Sequence, residues 1–204
     1  KKINDLYKKN KKIPSVKSPE HVKEFLKRYL NLTKKEVGKG IVTITLRNSS
    51  YSVIRNSNDE EWAKFYDWLK INDYYPIFIN DTEKVYNSNK IIISEKSYNC
   101  LNLASINCNI RLSLYEMAYL NTGVACGPTL LLIYSQYSRY LIFKTFVKDK
   151  DSNASLENFE KINGFGFGKQ WPFAKKFQKI VWNPDDDFDI LKKEFLEFEN
   201  ETNR

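Results

Sequence analysis

The sequence contains few of the residues that build metal and disulfide sites. His21 is the only histidine, and three cysteines occur in 204 residues. A single histidine excludes a multi-histidine metal site, and the absence of a CxxC pair argues against zinc. The odd number of cysteines also argues against a disulfide framework. We therefore expect no metal and a reducing, cytoplasmic setting.

Long apolar runs are also missing. The longest, residues 130–134, falls far short of the roughly 20 residues that span a bilayer, so no transmembrane segment is expected. No signal peptide is visible. The chain begins at Lys1 rather than at methionine, which indicates a processed chain or a piece of a longer one.

The net charge of +8 comes from one end of the chain. Residues 1–40 hold 13 Lys and Arg against 4 Asp and Glu, whereas residues 41–204 hold 20 against 21. Such a basic arm can bind nucleic acid or an anionic membrane surface. A solvated lysine-rich linker explains it equally well, and we favour this alternative, so nucleic acid is not the expected partner.

Apolar patterning beyond the arm predicts strands that alternate with helices. Residues 1–17 have the character of a loose arm, residues 149–170 are loop-rich, and Ser18-Pro19-Glu20 begins a linker helix. The alternation predicts an α/β, Rossmann-like domain over residues 41–200, with a mostly parallel sheet and helices on both faces. Strands are expected at 41–46, 75–79, 91–93, 122–126, 140–143 and 180–182, and helices at 59–71, 110–120, 129–135 and 184–199.

Two arginines follow the first of these strands. Arg47 ends the run, and Arg55 and Asn56 lie in the polar loop that follows. In open α/β sheets, ligands bind outside the carboxyl ends of the strands. Because a guanidinium offers a bidentate fork to phosphate or carboxylate, the segment predicts an anion site for a nucleotide-type ligand. The alternative is a surface loop with two solvated arginines.

The turn from Asn121 to Thr129 is a second candidate. Gly127 and Pro128 let the backbone approach a ligand, and the helix that follows presents free amide groups. A diphosphate or a sugar hydroxyl would fit there, at the same edge of the sheet as Arg47. Alternatively, the turn serves packing alone.

Acidic residues follow the second strand. Asp81 and Glu83 occupy the place where dinucleotide folds bind ribose hydroxyls, although a solvated turn would also explain them. The glycine fingerprint of those folds is absent after the first strand, so NAD is not predicted. The Gly-x-Gly-x-Gly run from Gly164 to Gly168 matches neither Walker nor Rossmann spacing, and is either a mobile loop over a ligand or an irregular connection.

Three further charged positions have structural explanations that we favour. Asp185-Asp186-Asp187 suggests a metal, but its position just before a helix is better explained by helix capping. Glu116 would be a general base if it pointed into a cleft. We favour ion pairing for both Glu116 and Arg111.

Several segments together resemble known proteins. T-I-T-L-R and R-N-S-N (within 41–58), P-I-F-I-N-D-T-E (76–83), L-Y-E-x-A-Y-L-N (114–121), Gly127-Pro128 and Q-K-I-V-W-N-P-D-D (178–186) are similar to an uncharacterised bacterial family that occurs with surface-carbohydrate biosynthesis. That resemblance covers about residues 41–199. The order of elements also resembles the carboxyl-terminal, nucleotide-sugar-binding half of GT-B glycosyltransferases, as in heptosyltransferase-like enzymes.

The resemblance implies a donor-binding domain. Arg47 and Arg55 would hold the diphosphate with help from the amides of Gly127–Thr129, and Asp81 or Glu83 would contact ribose or base. The nucleotide sugar would be a substrate, with no cofactor, and no catalytic residue is assigned. A GT-B enzyme also needs an acceptor-binding domain, and residues 1–40 are too short to form one, so an upstream half is an expected partner. The residues also allow a non-catalytic interaction module that uses the basic arm, or another α/β enzyme of phosphorylated metabolites.

Overall fold

The computed structural model describes residues 2–85, 90–149, 152 and 154–203. Single turns of 3-10 helix lie at Val53–Arg55, Thr82–Lys84 and Gly127–Thr129. The helices are α1 (Lys2–Asn10), α2 (Glu20–Leu30), α3 (Lys34–Val37), α4 (Asp59–Ile71), α5 (Asn102–Ile106), α6 (Cys108–Met117), α7 (Leu130–Tyr134), α8 (Leu156–Asn163) and α9 (Phe188–Thr202). The strands are β1 (Ile41–Thr45), β2 (Tyr75–Ile79), β3 (Lys90–Ile93), β4 (Lys96–Asn99), β5 (Leu120–Val124), β6 (Tyr140–Phe143) and β7 (Gln178–Ile180).

Five strands form one parallel sheet in the order β2-β1-β5-β6-β7. The chain extends the sheet from β1 towards β2 and later returns to add β5 on the other side of β1. This reversal brings the carboxyl ends of β1, β2 and β5 together at the point where α/β sheets bind ligands. The antiparallel hairpin β3–β4 lies beside β2 through a bridge between Phe78 and Cys100.

Side chains of β1 alternate between two fully covered faces. Val42 and Ile44 belong to the apolar core on one face. Thr43 and Thr45 point to the opposite face, where their hydroxyls hydrogen-bond to Asn121 Oδ1 (2.7 Å) and the Tyr115 hydroxyl (2.8 Å). Because both polar side chains are satisfied, the strand can be buried along its whole length.

Helices cover both faces of the sheet. On one face, Trp62 and Phe65 of α4 make edge-to-face contacts with Phe143 and with Phe195 of α9, at 5.6 and 5.8 Å between ring centroids. On the other face, α2, α6 and α7 contribute Leu26, Leu114 and Leu132 to a second core. The α/β, Rossmann-like fold with helices on both faces is therefore confirmed.

The amino-terminal segment differs from the loose arm that the sequence predicts. Residues 2–10 form α1, and its Asn4 is buried and donates to the backbone oxygen of Asn163 at 2.5 Å. Tyr7 contacts Phe173 edge to face, and Val16 forms a β-bridge with Ser135. The few apolar residues of α1 are diluted by lysines, so the packing of the helix against the domain was not visible as a periodic pattern.

Other differences concern boundaries and short elements. Strands β5 and β7 each begin two residues earlier than expected, and α9 begins at Phe188 rather than 184. The stretch 149–170 contains α8, which Ser155 caps and Gly164 ends with φ of 76°. Residues 150, 151 and 153 of that stretch lie outside the described residues. Within the described ranges, no helix combines the length and the apolar character that crossing a membrane requires.

Candidate anion-binding site at the carboxyl edge of the sheet

A cavity of about 200 Å³, here called the first cavity, lies where β1, β2 and β5 end. The residues that directly follow each of the three strands line the cavity, together with one arginine of α6. The residues that line it include Arg47 after β1, Asn80 and Asp81 after β2, Cys126, Gly127 and Pro128 after β5, and Arg111 of α6.

Arg47 organises the loop beside the first cavity. The side chain is 6% exposed, and Nη1 donates to the Ser52 oxygen (3.0 Å) and to Asn56 Oδ1 (2.5 Å). Nη2 donates to the Tyr51 oxygen at 2.6 Å. Asn56 Nδ2 in turn donates to the Ser49 oxygen. Arg47, which the sequence predicts to bind an anion, therefore lines the cavity and also fixes the loop. Asn56 does not line the cavity and contributes by hydrogen-bonding to Arg47.

Arg111 is expected from the sequence to form an ion pair, but its surroundings make it a candidate for ligand binding. It is 3% exposed, and its Nε donates to the Ala104 oxygen at 2.5 Å. Nη1 is buried and has no hydrogen-bond partner within the described part of the chain, and the same is true of Asn80 Oδ1. Both residues line the first cavity. An unpaired buried polar atom costs about 1–3 kcal/mol, so the first cavity offers one free donor and one free acceptor for which pairing would be favourable.

The predicted ribose-binding carboxylates lie close to the arginine loop. Asp81 lines the cavity, and its Oδ2 accepts a hydrogen bond from the backbone N–H of Asn48 at 3.2 Å. Glu83 accepts from the Ser50 amide (3.1 Å) and from Ser49 Oγ (3.3 Å). The two acids therefore attach the loop after β1 to the end of β2, and Asp81 is the one that borders the cavity.

The glycine-proline turn forms the wall on the β5 side. A side chain at Gly127 would meet no atom within 4 Å, so the space beside this glycine is open. Thr129 Oγ1 donates to the Cys126 oxygen at 2.7 Å and stabilises the turn. Helix α7 has only five residues, so its dipole contributes little at this turn.

Asn121 lies away from the group. It is in the interior of the sheet with 0% exposure. Its Nδ2 donates to the Tyr115 and Arg139 oxygens, both at 2.9 Å, while Oδ1 accepts from Thr43. Every polar atom of the side chain is used inside the protein, so Asn121 supports the sheet beneath the edge.

Arg55 and Thr129 border a different space, here called the second cavity. It has a volume of about 170 Å³ and lies between the carboxyl ends of β5 and β6. Arg55 Nη2 donates to the Ala125 oxygen at 3.3 Å, and Cys126 borders both cavities. The two predicted anion ligands Arg47 and Arg55 are therefore neighbours that serve adjoining cavities. Burial, and then the charge of Arg47, lower the pKa of Arg55.

The three arginines at the carboxyl edge have no ion-pair partner among the described residues. Every ion pair between described residues uses a lysine. Arg47, Arg55 and Arg111 are largely buried or half-buried and join none of them. Three guanidinium groups gather at one edge of the sheet, with the carboxylate of Asp81 beside two of them, and this excess of positive charge favours an anionic ligand.

Two acidic candidates have structural roles. Asp186 is buried and accepts from Trp62 Nε1 (2.7 Å) and the Asn58 amide (2.9 Å), with Lys144 Nζ at 3.3 Å. Asp186 thereby fixes the start of α4. Within the described ranges, no three His, Cys, Asp or Glu residues gather as a metal site would require. Glu116 accepts from Lys23 Nζ at 2.9 Å in an ion pair, as favoured from the sequence.

A larger cleft of about 550 Å³ lies at the opposite edge. Tyr7 of α1, Tyr134, Phe173 and the start of β7 at Gln178 line it. Ligands of parallel sheets bind at the carboxyl edge rather than at this one, and Arg47, Arg55 and the buried Arg111 are at the carboxyl edge. We therefore place the candidate site there despite the smaller cavities.

Comparison with known proteins gives matches at the level of structure. No protein-family model and no curated protein sequence matches the chain. One similar structure is a glycosyl transferase family 9 protein from Veillonella parvula, with a TM-score of 0.50, 11% identity, and coverage of 64% of this chain and 36% of that one. Another is the E. coli ADP-heptose LPS heptosyltransferase II, with a TM-score of 0.54, 9% identity, and coverage of 92% and 52%.

These similarities concern the fold. At such low identities they establish a common architecture with glycosyltransferases of the GT-B type, which agrees with the resemblance drawn from the sequence. The chain spans about half or less of the length of the two proteins. The resemblance to a surface-carbohydrate family stays an expectation.

Proposed function

We propose that this chain is the donor-binding domain of a glycosyltransferase and that it binds a nucleoside diphosphate sugar with the diphosphate in the first cavity. The observation that carries the proposal is the set of buried arginines without acidic partners at the carboxyl edge of a GT-B-like sheet. The similarity of fold to glycosyltransferases supports it, and the sequence resemblance adds a role in surface-polysaccharide assembly.

The chemistry of the first cavity fits a diphosphate. Arg111 Nη1 has a free hydrogen-bond donor, and Arg47 contributes positive charge beside it. Asp81 lines the cavity and would accept a hydrogen bond from a ribose hydroxyl, and the open space at Gly127 would let a phosphate approach the backbone. The site thus offers donors and charge to phosphate, and an acceptor to sugar hydroxyls.

The first cavity holds only part of such a donor. Ligand pockets are commonly about 300–1,000 Å³, whereas this cavity has about 200 Å³. The base and the sugar would therefore extend along the sheet edge and against an acceptor-binding domain. The similar heptosyltransferase is about twice as long as the aligned part, so such a domain is part of the proposal.

The contribution of this chain to catalysis would then be electrostatic. Arg47 and Arg111 would stabilise the negative charge that develops on the leaving nucleoside diphosphate, without an obligatory metal. Glu116 does not suit the role of general base because its side chain is 1% exposed and paired with Lys23. The base would come from the acceptor-binding domain.

The first experiment is a thermal-shift titration with matched pairs of ligands. ADP, GDP, UDP and CDP are each compared with the corresponding nucleoside, with and without magnesium. A ligand that binds only the folded state raises Tm. We expect one diphosphate, but not its nucleoside, to raise Tm, and the shift to decrease as salt increases. No shift by any diphosphate in the panel would refute donor binding by this chain.

A conservative variant then assigns the site. Arg111→Lys keeps the charge but removes the guanidinium donor, so the diphosphate should lose about tenfold or more in affinity. Arg139→Lys makes the same change at the amino edge, outside the first cavity, and should bind as the unmodified chain does. Equal affinities of the two variants would exclude Arg111. Stabilisation by pyrophosphate equal to that by every nucleotide would favour an enzyme of another phosphorylated metabolite.

A further inference from the structure

The second cavity contains an unusual concentration of unsatisfied polar atoms. Arg55 Nε, Thr145 Oγ1 and Trp171 Nε1 are buried and lack a hydrogen-bond partner within the described part of the chain. All three belong to residues that line this one cavity. Native proteins contain only a few such atoms per hundred residues, so three around one small cavity call for a common explanation.

The three atoms define what would pair with them. Arg55 Nε and Trp171 Nε1 are donors only, and the Thr145 hydroxyl can also donate. The complementary ligand therefore presents acceptor oxygens. Arg55 is a cation without an ion pair in the described structure, so negative charge on those oxygens is favoured.

The rest of the wall selects for a carbon skeleton. Ile133, Ile142, Phe159 and Ile180 line the cavity together with the indole of Trp171. Phe165, from the Gly-x-Gly-x-Gly run, packs edge to face on Trp171 at 4.8 Å and on Phe159 at 5.3 Å, which holds both rings in place. An apolar wall of this kind suits CH groups better than a bare inorganic ion does.

We propose that the second cavity binds a compact organic carboxylate, with its carboxylate oxygens on Arg55, Thr145 and Trp171 and its carbon skeleton against Phe159 and the isoleucines. The volume of about 170 Å³ has room for several waters and thus for a small hydroxy acid, or for the carboxylated part of a sugar. Cys126 borders both cavities, so the second cavity adjoins the proposed diphosphate site. The acid is therefore either a free metabolite or the acidic sugar of the proposed donor. The binding of an acid does not depend on the proposed function.

The test uses the indole N–H of Trp171 as a probe. The four tryptophan indoles are labelled with ¹⁵N, and the Trp171 signal is assigned by Trp171→Phe. L-lactate is compared with propane-1,2-diol, and D-glucuronate with D-glucose, since each pair exchanges a carboxylate for a CH₂OH group. We expect the acid of at least one pair to shift the Trp171 signal saturably, and the alcohol to leave it unchanged. If neither acid shifts the signal more than its alcohol, the proposal is wrong.

Nucleotide sugars distinguish a free acid from an acidic sugar that is linked to a nucleoside diphosphate. A Trp171 shift with UDP-glucuronate at lower concentration than with free glucuronate, and none with UDP-glucose, would identify the sugar of a donor. An equal or weaker response to the linked form would identify a free acid. The Arg111→Lys variant should retain the response to free acids, so the diphosphate site and the acid site can fail separately.

Thr145→Val supplies the decisive variant. Valine has the same shape but lacks the hydroxyl, which has no protein partner, so the fold should be unharmed and the affinity for the acid should fall about three- to tenfold. Ser113→Ala removes another buried hydroxyl without a partner, away from the second cavity, and should leave acid binding unchanged. If Thr145→Val binds the acid as tightly as the unmodified chain, the hydroxyl makes no contact and the proposal is overturned.

Discussion

Lys23 Nζ lies 2.9 Å from Glu116 Oε2, and this contact joins α2 to α6 across one face of the sheet. The Glu116 carboxylate also accepts from Ser18 Oγ (2.6 Å) and Ser135 Oγ (3.1 Å). Burial opposes the charge on Lys23, but the hydrogen bond and the charge of Glu116 outweigh it and raise the pKa of Lys23. One carboxylate therefore ties the basic segment to the sheet domain.

Glu116→Gln should destabilise the chain while preserving its shape. The amide loses the charge that compensates Lys23 and reverses the polarity at one of the two serine hydroxyls. We expect a loss of about 2 kcal/mol in the free energy of unfolding, measured by urea denaturation. Glu201→Gln, at an exposed position, is the control and should change stability by less than about 0.5 kcal/mol. A loss no larger than that of the control would mean that the segment is anchored elsewhere.

Two glycines allow the cavity and the fold to be tested separately. Gly127→Ala adds a methyl group to open space beside the first cavity, so stability should be nearly unchanged and affinity for a nucleoside diphosphate should fall about tenfold. Gly123 has φ of 157°, and a side chain there would lie 2.5 Å from the Thr45 oxygen. Gly123→Ala should therefore cost about 2 kcal/mol or more of folding stability.

Denaturation curves and calorimetry separate these two effects. Unchanged affinity in a well-folded Gly127→Ala protein would show that the ligand does not approach this part of the turn. Stability of Gly123→Ala equal to that of the unmodified chain would mean that β1 and β5 are less closely packed than their register indicates.

The three cysteines should differ in reactivity. Cys108 is exposed, whereas Cys100 is buried and burial raises the pKa of its thiol to about 11. Burial also raises the pKa of Cys126. The thiolate is the reactive form, so at pH 8 a maleimide should modify Cys108 quickly and Cys100 and Cys126 slowly. Mass spectrometry of peptides identifies the fast one. Rapid modification of Cys100 would contradict the packing of the β3–β4 hairpin against β2.

The order of strands and helices was predictable because each buried strand is a short apolar run between polar turns. Tertiary contacts decided what the pattern could not. Helix α1 forms in a lysine-rich stretch because Asn4 and Tyr7 find partners in Asn163 and Phe173, more than 150 residues away. The hairpin strand β4 carries mostly polar residues and is specified by its pairing with β3.

The position of the candidate site was predictable in outline and its contacts were not. Strand ends identify the edge, so Arg47, Asp81 and Gly127 meet at one cavity as expected. The assignment of Arg55 to a second cavity depends on where β5 lies between β1 and β6, which no local pattern encodes. Arg111 resembled an ion-pairing helix residue until its burial without a carboxylate was visible.

Asp59 gives a pH dependence whose sign can be worked out. Its carboxylate lies at the start of α4 and accepts from Asn48 Nδ2 at 3.2 and 3.0 Å. Burial raises the pKa of Asp59, and the hydrogen bond from Asn48 only partly offsets this. The folded protein therefore holds this proton more tightly than the unfolded chain, whose aspartates titrate near pH 3.9. The stabilisation that follows is complete below that pH and is lost as the pH rises through the higher pKa of the folded state.

Asp59→Asn removes this titration and leaves every other carboxylate in place. The free energy of unfolding of the variant, minus that of the unmodified chain, should therefore increase from pH 3 to pH 7 in urea denaturation series. Asn48→Ala deletes the hydrogen bond that lowers the pKa of Asp59. Its stability relative to the unmodified chain should change in the opposite direction over the same range, because the charged Asp59 is then less well supported. A difference for Asp59→Asn that stays flat or decreases with pH would show that hydrogen bonding, and not burial, controls this carboxylate.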